Sequence, residues 1–482
     1  MGVWLTKYIY AGIAQGDQVD ADATIAFAKN INFRRKHDLI TLNQKLSKDS
    51  ATAIDGFPHW IKDLNGTVYA YLDNGKIFER IAASSWVQRK ALSSSTGQGL
   101  GTDASYLYYA NASYLGRFPI GGTWGSSESD TFQTLTGSSW NPIKYFSNVN
   151  LLCVGSGNKL AVWDPSASLY SGSRLTMPGG WYIRDIEEWG DYVAISLWTG
   201  SNILNSSRGK IVLWDGLSEQ FNAVVDSQAG NTLLTFTDKN NLNVLGGLGG
   251  KIYRYNGGQL YEKKRIPFLN EDAAEWMDIY PGSKTNWKGI PLFGVAGLAS
   301  CASAFRGVYS YGSDTAGIPA GLNMEYTISE DSGGTAVKIG GVHASRNNEL
   351  YVGWANSTTY GIDKLDPTAQ YSSGYFDTIQ FHGDIREEGY LKTPTKIHMT
   401  HLPLVSGQSL VYKVRRDYNA SFATLLTSST TGEVSDQTTQ LSDGSPFPSG
   451  RMFQGRLEFN SVAGAAPTLV SVKTDYTVKR TS

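Results

Sequence analysis

Apolar residues in this chain gather in short runs that alternate with polar positions. Gly, Asn, Asp or Ser bound nearly every run. The pattern predicts strands and tight turns rather than helices. The stretch from Leu151 to Gly216 is the clearest, because it holds two copies of one phrase. Gly157-Asn158-Lys159-Leu160-Ala161-Val162-Trp163-Asp164 is matched by Gly209-Lys210-Ile211-Val212-Leu213-Trp214-Asp215-Gly216. Each is an apolar strand that opens after a Gly-containing turn and closes on Trp-Asp. A further strand precedes each copy, Val149 to Val154 and Asp191 to Trp198. The unit recurs after about fifty residues, as successive blades of a β-propeller do.

Similar hairpins lie on both sides. Val68 to Leu72 turns through Asp73-Asn74-Gly75 into Lys76 to Arg80, and Ser105 to Ala110 returns as Tyr114 to Phe118. Asn241 to Leu245 pairs with Lys251 to Tyr255, Pro291 to Gly297 with Gly307 to Gly312, and Glu349 to Trp354 with Thr359 to Asp363. The strand anchors are Ile77, Leu115, Val162, Val212, Ile252, Val308 and Ile362. Their spacing is irregular, roughly 40 to 55 residues, near known propeller repeats. About seven blades are expected, with six and eight left open.

The ends of the chain read differently. Residues 1–50 are expected to form an N-terminal arm, with a short helix or extended segment over Asp17 to Ala28. Residues 51–370 are assigned to the propeller. From residue 371 to 482 the alternating runs Phe376 to Phe381, Lys396 to Leu402, Ser409 to Arg415, Arg456 to Phe459 and Thr468 to Val472 suggest a β-sandwich-like domain. Thr427 to Gly450 is polar and turn-rich, so it is expected as a long exposed excursion. The fold class is therefore all-β: a β-propeller of about seven blades followed by a C-terminal β-sandwich.

Composition agrees with that class. The 482 residues are 41% hydrophobic, 12% aromatic and only 18% charged, with 53 Gly, a balance that suits strands and many turns. The formal net charge of −1 gives no global field for nucleic acid, so no sequence-specific nucleic-acid partner is expected. No apolar run is long enough to span a bilayer as a helix, and the first residues lack the pattern of a secretory signal. Met1-Gly2 with Thr6 fits a myristoylation pattern formally, but with no second anchor it is read as coincidence. Cys153 lies in an apolar run and reads as a small core residue. Cys301 is distant in sequence, and no CxxC pair indicates zinc.

Each candidate for chemistry has a plainer alternative. Arg34-Arg35-Lys36 could meet a phosphate but reads as a solvated turn between strands. Ser329 to Thr335 matches the Asp-box pattern S-x-D-x-G-x-T, which serves as a structural turn. His398 and His401 form an H-x-x-H pair, yet three positions along a strand turn the imidazoles to opposite faces. Asp185, Glu187 and Glu188 lie between Trp181 and Trp189. Asp185 and Glu187 would share a face, as a glycosidase pair must, although acid–aromatic mixtures are common at propeller rims. Gly246-Gly247-Leu248-Gly249-Gly250-Lys251 lacks the Ser or Thr and the helix of a phosphate loop. Gly97-Gln98-Gly99-Leu100-Gly101 likewise fails the dinucleotide fingerprint. No catalytic, cofactor-binding or metal-binding residues are assigned, and no enzyme activity or cofactor is expected.

Several phrases together resemble propeller-bearing virion proteins of tailed bacteriophages, including, more loosely, the tail nozzle or hub proteins of short-tailed phages. They are Asn30 to Leu42, the repeated hairpins, Trp287 to Gly294, Gly307 to Gly312 and Ser373 to Asp377. The resemblance implies a structural component of the virion, in the tail or at the head–tail axis. Its partners would be other virion proteins and further copies of itself in a ring, a hexamer among the options. Contacts would run through the propeller rim, the N-terminal arm and the C-terminal domain. Deleting residues 1–45 is expected to leave a folded propeller that fails to assemble. The alternative is a carbohydrate-binding or glycan-cleaving propeller that meets a host surface glycan. A Trp-Asp repeat scaffold fits less well, because the Gly-His partner of that motif is missing.

Overall fold

The computed structural model describes the chain except for residues 1, 7–24, 37–38, 51–53, 94, 96–97, 137–139, 200–208, 228–231, 248, 268–276, 297–305, 313–319, 332–335, 384–388, 418–420, 463 and 480–482. Met1, residues 17–24, His37, Gly97, Leu248, Cys301 and the second half of the Asp box therefore lie outside the described residues. Every regular element among the described residues is a strand. The first five are β1 (Gly2–Thr6), β2 (Ile25–Lys29), β3 (Ile31–Lys36), β4 (Leu39–Leu42) and β5 (Gln44–Lys48).

Four-stranded antiparallel sheets follow, each a simple meander. One contains β6 (Pro58–Leu64), β7 (Thr67–Leu72), β8 (Lys76–Ala82) and β9 (Ser85–Ala91). The next contains β10 (Gly99–Thr102), β11 (Tyr106–Asn111), β12 (Tyr114–Pro119) and β13 (Ser129–Thr134). The Trp-Asp phrases belong to the following two. These are β14 (Ile143–Phe146), β15 (Leu151–Ser156), β16 (Lys159–Asp164) and β17 (Leu169–Thr176), then β18 (Tyr182–Trp189), β19 (Tyr192–Trp198), β20 (Gly209–Trp214) and β21 (Ala223–Ser227). After them come β22 (Thr232–Asp238), β23 (Asn241–Gly246), β24 (Lys251–Tyr255) and β25 (Leu260–Arg265). A further sheet holds β26 (Lys284–Trp287), β27 (Ile290–Val295), β28 (Gly307–Gly312) and β29 (Gly321–Tyr326). The last is β30 (Val337–Ala344), β31 (Leu350–Asn356) and β32 (Thr359–Gln370), and β5 supplies its fourth strand.

All seven sequence anchors fall on the third strand of such a sheet, and each is buried. A lone four-stranded sheet leaves one apolar face wet, so the sheets stack. Cores form between successive sheets. One joins Cys153, Val162 and Leu175 to Ile186, Ile195 and Trp214; another joins Ile61, Ala70 and Phe78 to Tyr351 and Ile362. The first strands lie side by side: β6 by β10, β10 by β14, β14 by β18, and β18 by β22. β22 then meets β27, β26 lies by β30, and β30 returns to β6. This ring of stacked meanders is a β-propeller arrangement. Two glycines admit close cross-strand packing. Gly116 faces Tyr109 and Gly361 faces Trp354, and a Cβ at either would lie 2.2 or 2.3 Å from the ring.

Two larger sheets complete the chain with β33 (Ser373–Thr378), β34 (Leu391–His401), β35 (Ser409–Arg416), β36 (Ala423–Ser428), β37 (Ser435–Thr438), β38 (Phe453–Asn460) and β39 (Leu469–Lys479). One runs β3-β4-β39-β34-β37 with β1 also on β39, and the other β2-β33-β38-β35-β36. Trp4 of β1 stacks on Phe381 with ring centroids 5.0 Å apart and packs against Tyr412 of β35.

The chain divides into two compact units, Leu46–Val308 with Ile328–Leu365, and Met1–Lys45 with Tyr309–Thr327 and Asp366–Ser482. The described part of residues 1–50 is thus strand within sheets, where the sequence suggested an arm. Ile25 to Ala28, the end of the proposed helix, are in β2, and Arg34-Arg35-Lys36 closes β3 rather than forming a turn. Thr427 to Gly450 is largely exposed but returns as β37 to pair with β34.

Candidate functional site

The first strands of the propeller unit line a part-open cavity of about 200 Å³. Alternation along each strand sends every second side chain toward it. Lys62 enters from β6, Lys144 from β14, Asp185 and Glu187 from β18, Lys284 from β26 and His343 from β30. Asp185 and Glu187 share a face, and the Lys284 ammonium sits on both, 2.5 Å from Asp185 Oδ2 and 2.9 Å from Glu187 Oε2. Lys144 reaches Glu187 from the next sheet at 2.9 Å. Asp185 Oδ2 also accepts the Thr235 amide at 2.9 Å and its hydroxyl at 3.1 Å.

The two carboxyls are pushed in opposite directions. Burial raises the Asp185 pKa against the pull of Lys284. Burial also opposes Glu187 ionisation, but two ammoniums outweigh it and hold the group at about 2. Lys144 is raised, by the Glu187 charge first. Lys62 is pushed down to about 8, first by burial and then by Lys144 and Lys284. His343 bonds Asp63 at 2.7 Å, and burial still depresses the imidazole.

Beside the leading ends of these strands lies an aromatic layer. His59 stacks on Tyr280 at 4.8 Å and meets Trp140 at 5.0 Å. The buried Arg184 guanidinium lies 5.1 Å from the Trp140 ring centre and donates to the Ile279 carbonyl at 2.6 Å. Burial pushes His59 down to about 4, so this layer carries its positive charge on Arg184 rather than on the imidazole.

Other sequence candidates resolve locally. Glu188 turns away and accepts from Ser147 at 2.9 Å. Trp181 packs on the apolar core under Lys210, and Trp189 stacks on Tyr192, so neither ring flanks the acids. The described half of the Asp box is anchored by Asp363, which accepts the Ser329 amide and hydroxyl, both at 2.7 Å. His401 is buried and bonds Ser428 at 2.8 Å, while His398 lies on the opposite face of β34, partly exposed. Among the described residues no group of three His, Cys, Asp or Glu could hold a metal. Gly249 and Gly250 both take positive φ in the turn before β24, and a strand follows. Cys153 is buried, with its thiol raised to about 12 by burial.

Sequence reasoning overlooked Lys62, Lys144 and Lys284. The available signal was a lone Lys within a strand-like run, as in Trp60-Ile61-Lys62 and Ser283-Lys284-Thr285.

No family model and no curated protein matches the sequence. Solved structures match at low similarity. The WD40 β-propeller domain of Doa1 aligns at 11% identity and TM-score 0.43, over 67% of this chain and 98% of that one. The extracellular domain of BT4673 from B. thetaiotaomicron aligns at 12% identity and TM-score 0.45, over 79% of this chain. The match spans 44% of that chain, less than half its length. The computationally designed Ika8 protein aligns at 11% identity and TM-score 0.38, over 66% and 99%.

Proposed function

We propose that this protein is a structural component of a bacteriophage virion, in the tail or at the head–tail axis. Its four-stranded sheets would act as seven propeller blades forming a rigid scaffold. The two larger sheets would form a sandwich that meets neighbouring subunits. The resemblance of the sequence phrases supports the setting. One structural observation carries the assembly reading. Leu402, Val405, Val434 and Val462 are 40 to 52% exposed at one end of the larger sheets. Their segments are tied together, since Val434 O accepts the His401 amide at 2.9 Å and a Cβ on Gly407 would lie 2.8 Å from Val462. A cluster of exposed aliphatic groups suits burial against another subunit.

Quantitative mass spectrometry of density-purified particles from the source culture tests this reading. A small fixed copy number per particle, consistent with a closed ring, is expected. Absence from particles would overturn it.

A glycan-cleaving propeller is the second reading, favoured by the divergent pKa shifts of Asp185 and Glu187, a pattern that acid–nucleophile pairs use. Against it, the Lys284 ammonium occupies the space between the two carboxylates. Reducing-sugar release from host polysaccharide, lost in Glu187→Gln, would put that reading first.

A further inference from the structure

The propeller cavity holds more positive charge than its own carboxylates neutralise. Glu187 is shared between Lys144 and Lys284, and Asp185 is committed to Lys284 and Thr235. Asp63 does not line the cavity and is hydrogen-bonded to His343 at 2.7 Å. Lys62 lines the same cavity, yet makes no hydrogen bond or ion pair among the described residues. Lys62 is half-buried, and an ammonium partly withdrawn from water without a counter-charge is disfavoured, so such groups are normally paired. The space beside it is large. One water needs roughly 10–15 Å³ of comparable volume, and the cavity offers about 200 Å³. Its walls also carry the Thr237 and Thr285 hydroxyls and the Asn286 amide, which can donate hydrogen bonds.

We propose that this cavity binds a small oxyanion, a phosphate or a carboxylate, with Lys62 as its counter-ion and Lys144 and Lys284 adding to the field. The acids fix the two flanking lysines in place, and Lys62 supplies the charge that remains. A lowered Lys62 pKa is what an ammonium without a nearby anion would display. This inference is independent of the virion reading, since it concerns only the propeller cavity.

Isothermal titration calorimetry of the full chain in chloride buffer near pH 7 tests it. Inorganic phosphate is titrated in one arm and acetate in the other. Saturable binding of at least one anion is expected, weakened tenfold or more in Lys62→Met and in Lys62→Gln, and largely kept in Lys62→Arg. Preference between the arms identifies the class of oxyanion. Absence of saturable binding in both arms would overturn the proposal, as would equal binding by wild type and both neutral variants. Should a neutral variant fail to fold, wild type is titrated again near pH 10, where an uncharged Lys62 must weaken binding. Unchanged affinity there would also refute the site.

Discussion

At the scale of single residues, the cavity charges make opposite predictions about pH. Glu187 is held near 2 against an ordinary value of 4.5, so the unfolded chain binds its proton more tightly. Its stabilisation is therefore full above pH 4.5 and lost as pH falls toward 2. Replacing it with Gln leaves the partly exposed Lys144 without its carboxylate and Lys284 with Asp185 alone, a loss of about 2 kcal/mol. Urea denaturation near neutral pH should show that loss, with the gap to wild type closing below pH 4.5. Lys62 works the other way. Its folded pKa near 8 lies below the ordinary 10.5, so it penalises folding below pH 8 and the penalty fades between 8 and 10.5. The groups facing it are Lys144 on β14, Asp185 and Glu187 on β18, Lys284 on β26 and the His343–Asp63 pair. Lys144 is raised above that alkaline window, while Glu187 and the His343–Asp63 pair are shifted to lie below it. In buffer without oxyanions, Lys62→Met should be about 2 kcal/mol more stable than wild type at pH 7. Thermal melts across pH 7 to 10.5 should show that advantage disappearing.

At the scale of elements, the same turn chemistry closes both Trp-Asp strands. Asp164 Oδ1 accepts the Ser166 and Ala167 amides, and Asp215 Oδ1 accepts those of Leu217 and Ser218. Asp215 also takes the Ser218 hydroxyl and the Asn222 amide group. Replacement by Ala should cost about 1 kcal/mol at Asp164 and about 2 kcal/mol at Asp215, an order that urea denaturation would test. These turns were legible in the sequence because every donor lies within a few residues of its acceptor. So were the third strands, whose central anchors are buried and must be apolar. The first strands were less legible. A Lys inside a ring of strands reads like one on a solvated face until the strands around it are known. The partners of the N-terminal strands were not legible, because β1 pairs with β39 and β2 with β33. Alternation announces a strand but does not name a partner hundreds of residues away.

At the scale of the whole molecule, that distant pairing changes what truncation can reveal. β5 precedes the other propeller strands yet closes the last four-stranded sheet. Asp49 just beyond it donates its amide to Ile362 O at 2.8 Å and grips Arg80 through two bonds of 2.7 and 3.0 Å. Trp86 Nε1 donates to Asp49 Oδ2 at 3.1 Å. Deleting residues 1–50 therefore removes a strand and a buried ion pair from the propeller unit. Deleting residues 1–43 leaves β5 whole but takes β1 to β4, and with them Phe27, Ile31, Phe33 and Ile40 from the other unit's core. The shorter deletion should leave the propeller unit's amide protection nearly intact while β33, β38 and β39 exchange rapidly. The longer one should also expose β30 to β32. Hydrogen exchange read peptide by peptide separates the cases, and protection of β33 and β39 in the 1–43 deletion would refute this account. A failure of either truncated chain to enter particles would then report lost folding as much as a lost contact. The exposed patch is a cleaner assembly test. Val405→Asp with Val434→Asp adds charge where both side chains already meet solvent. It should leave amide protection unchanged while reducing incorporation into particles tenfold or more, and normal incorporation would remove that patch from the interface.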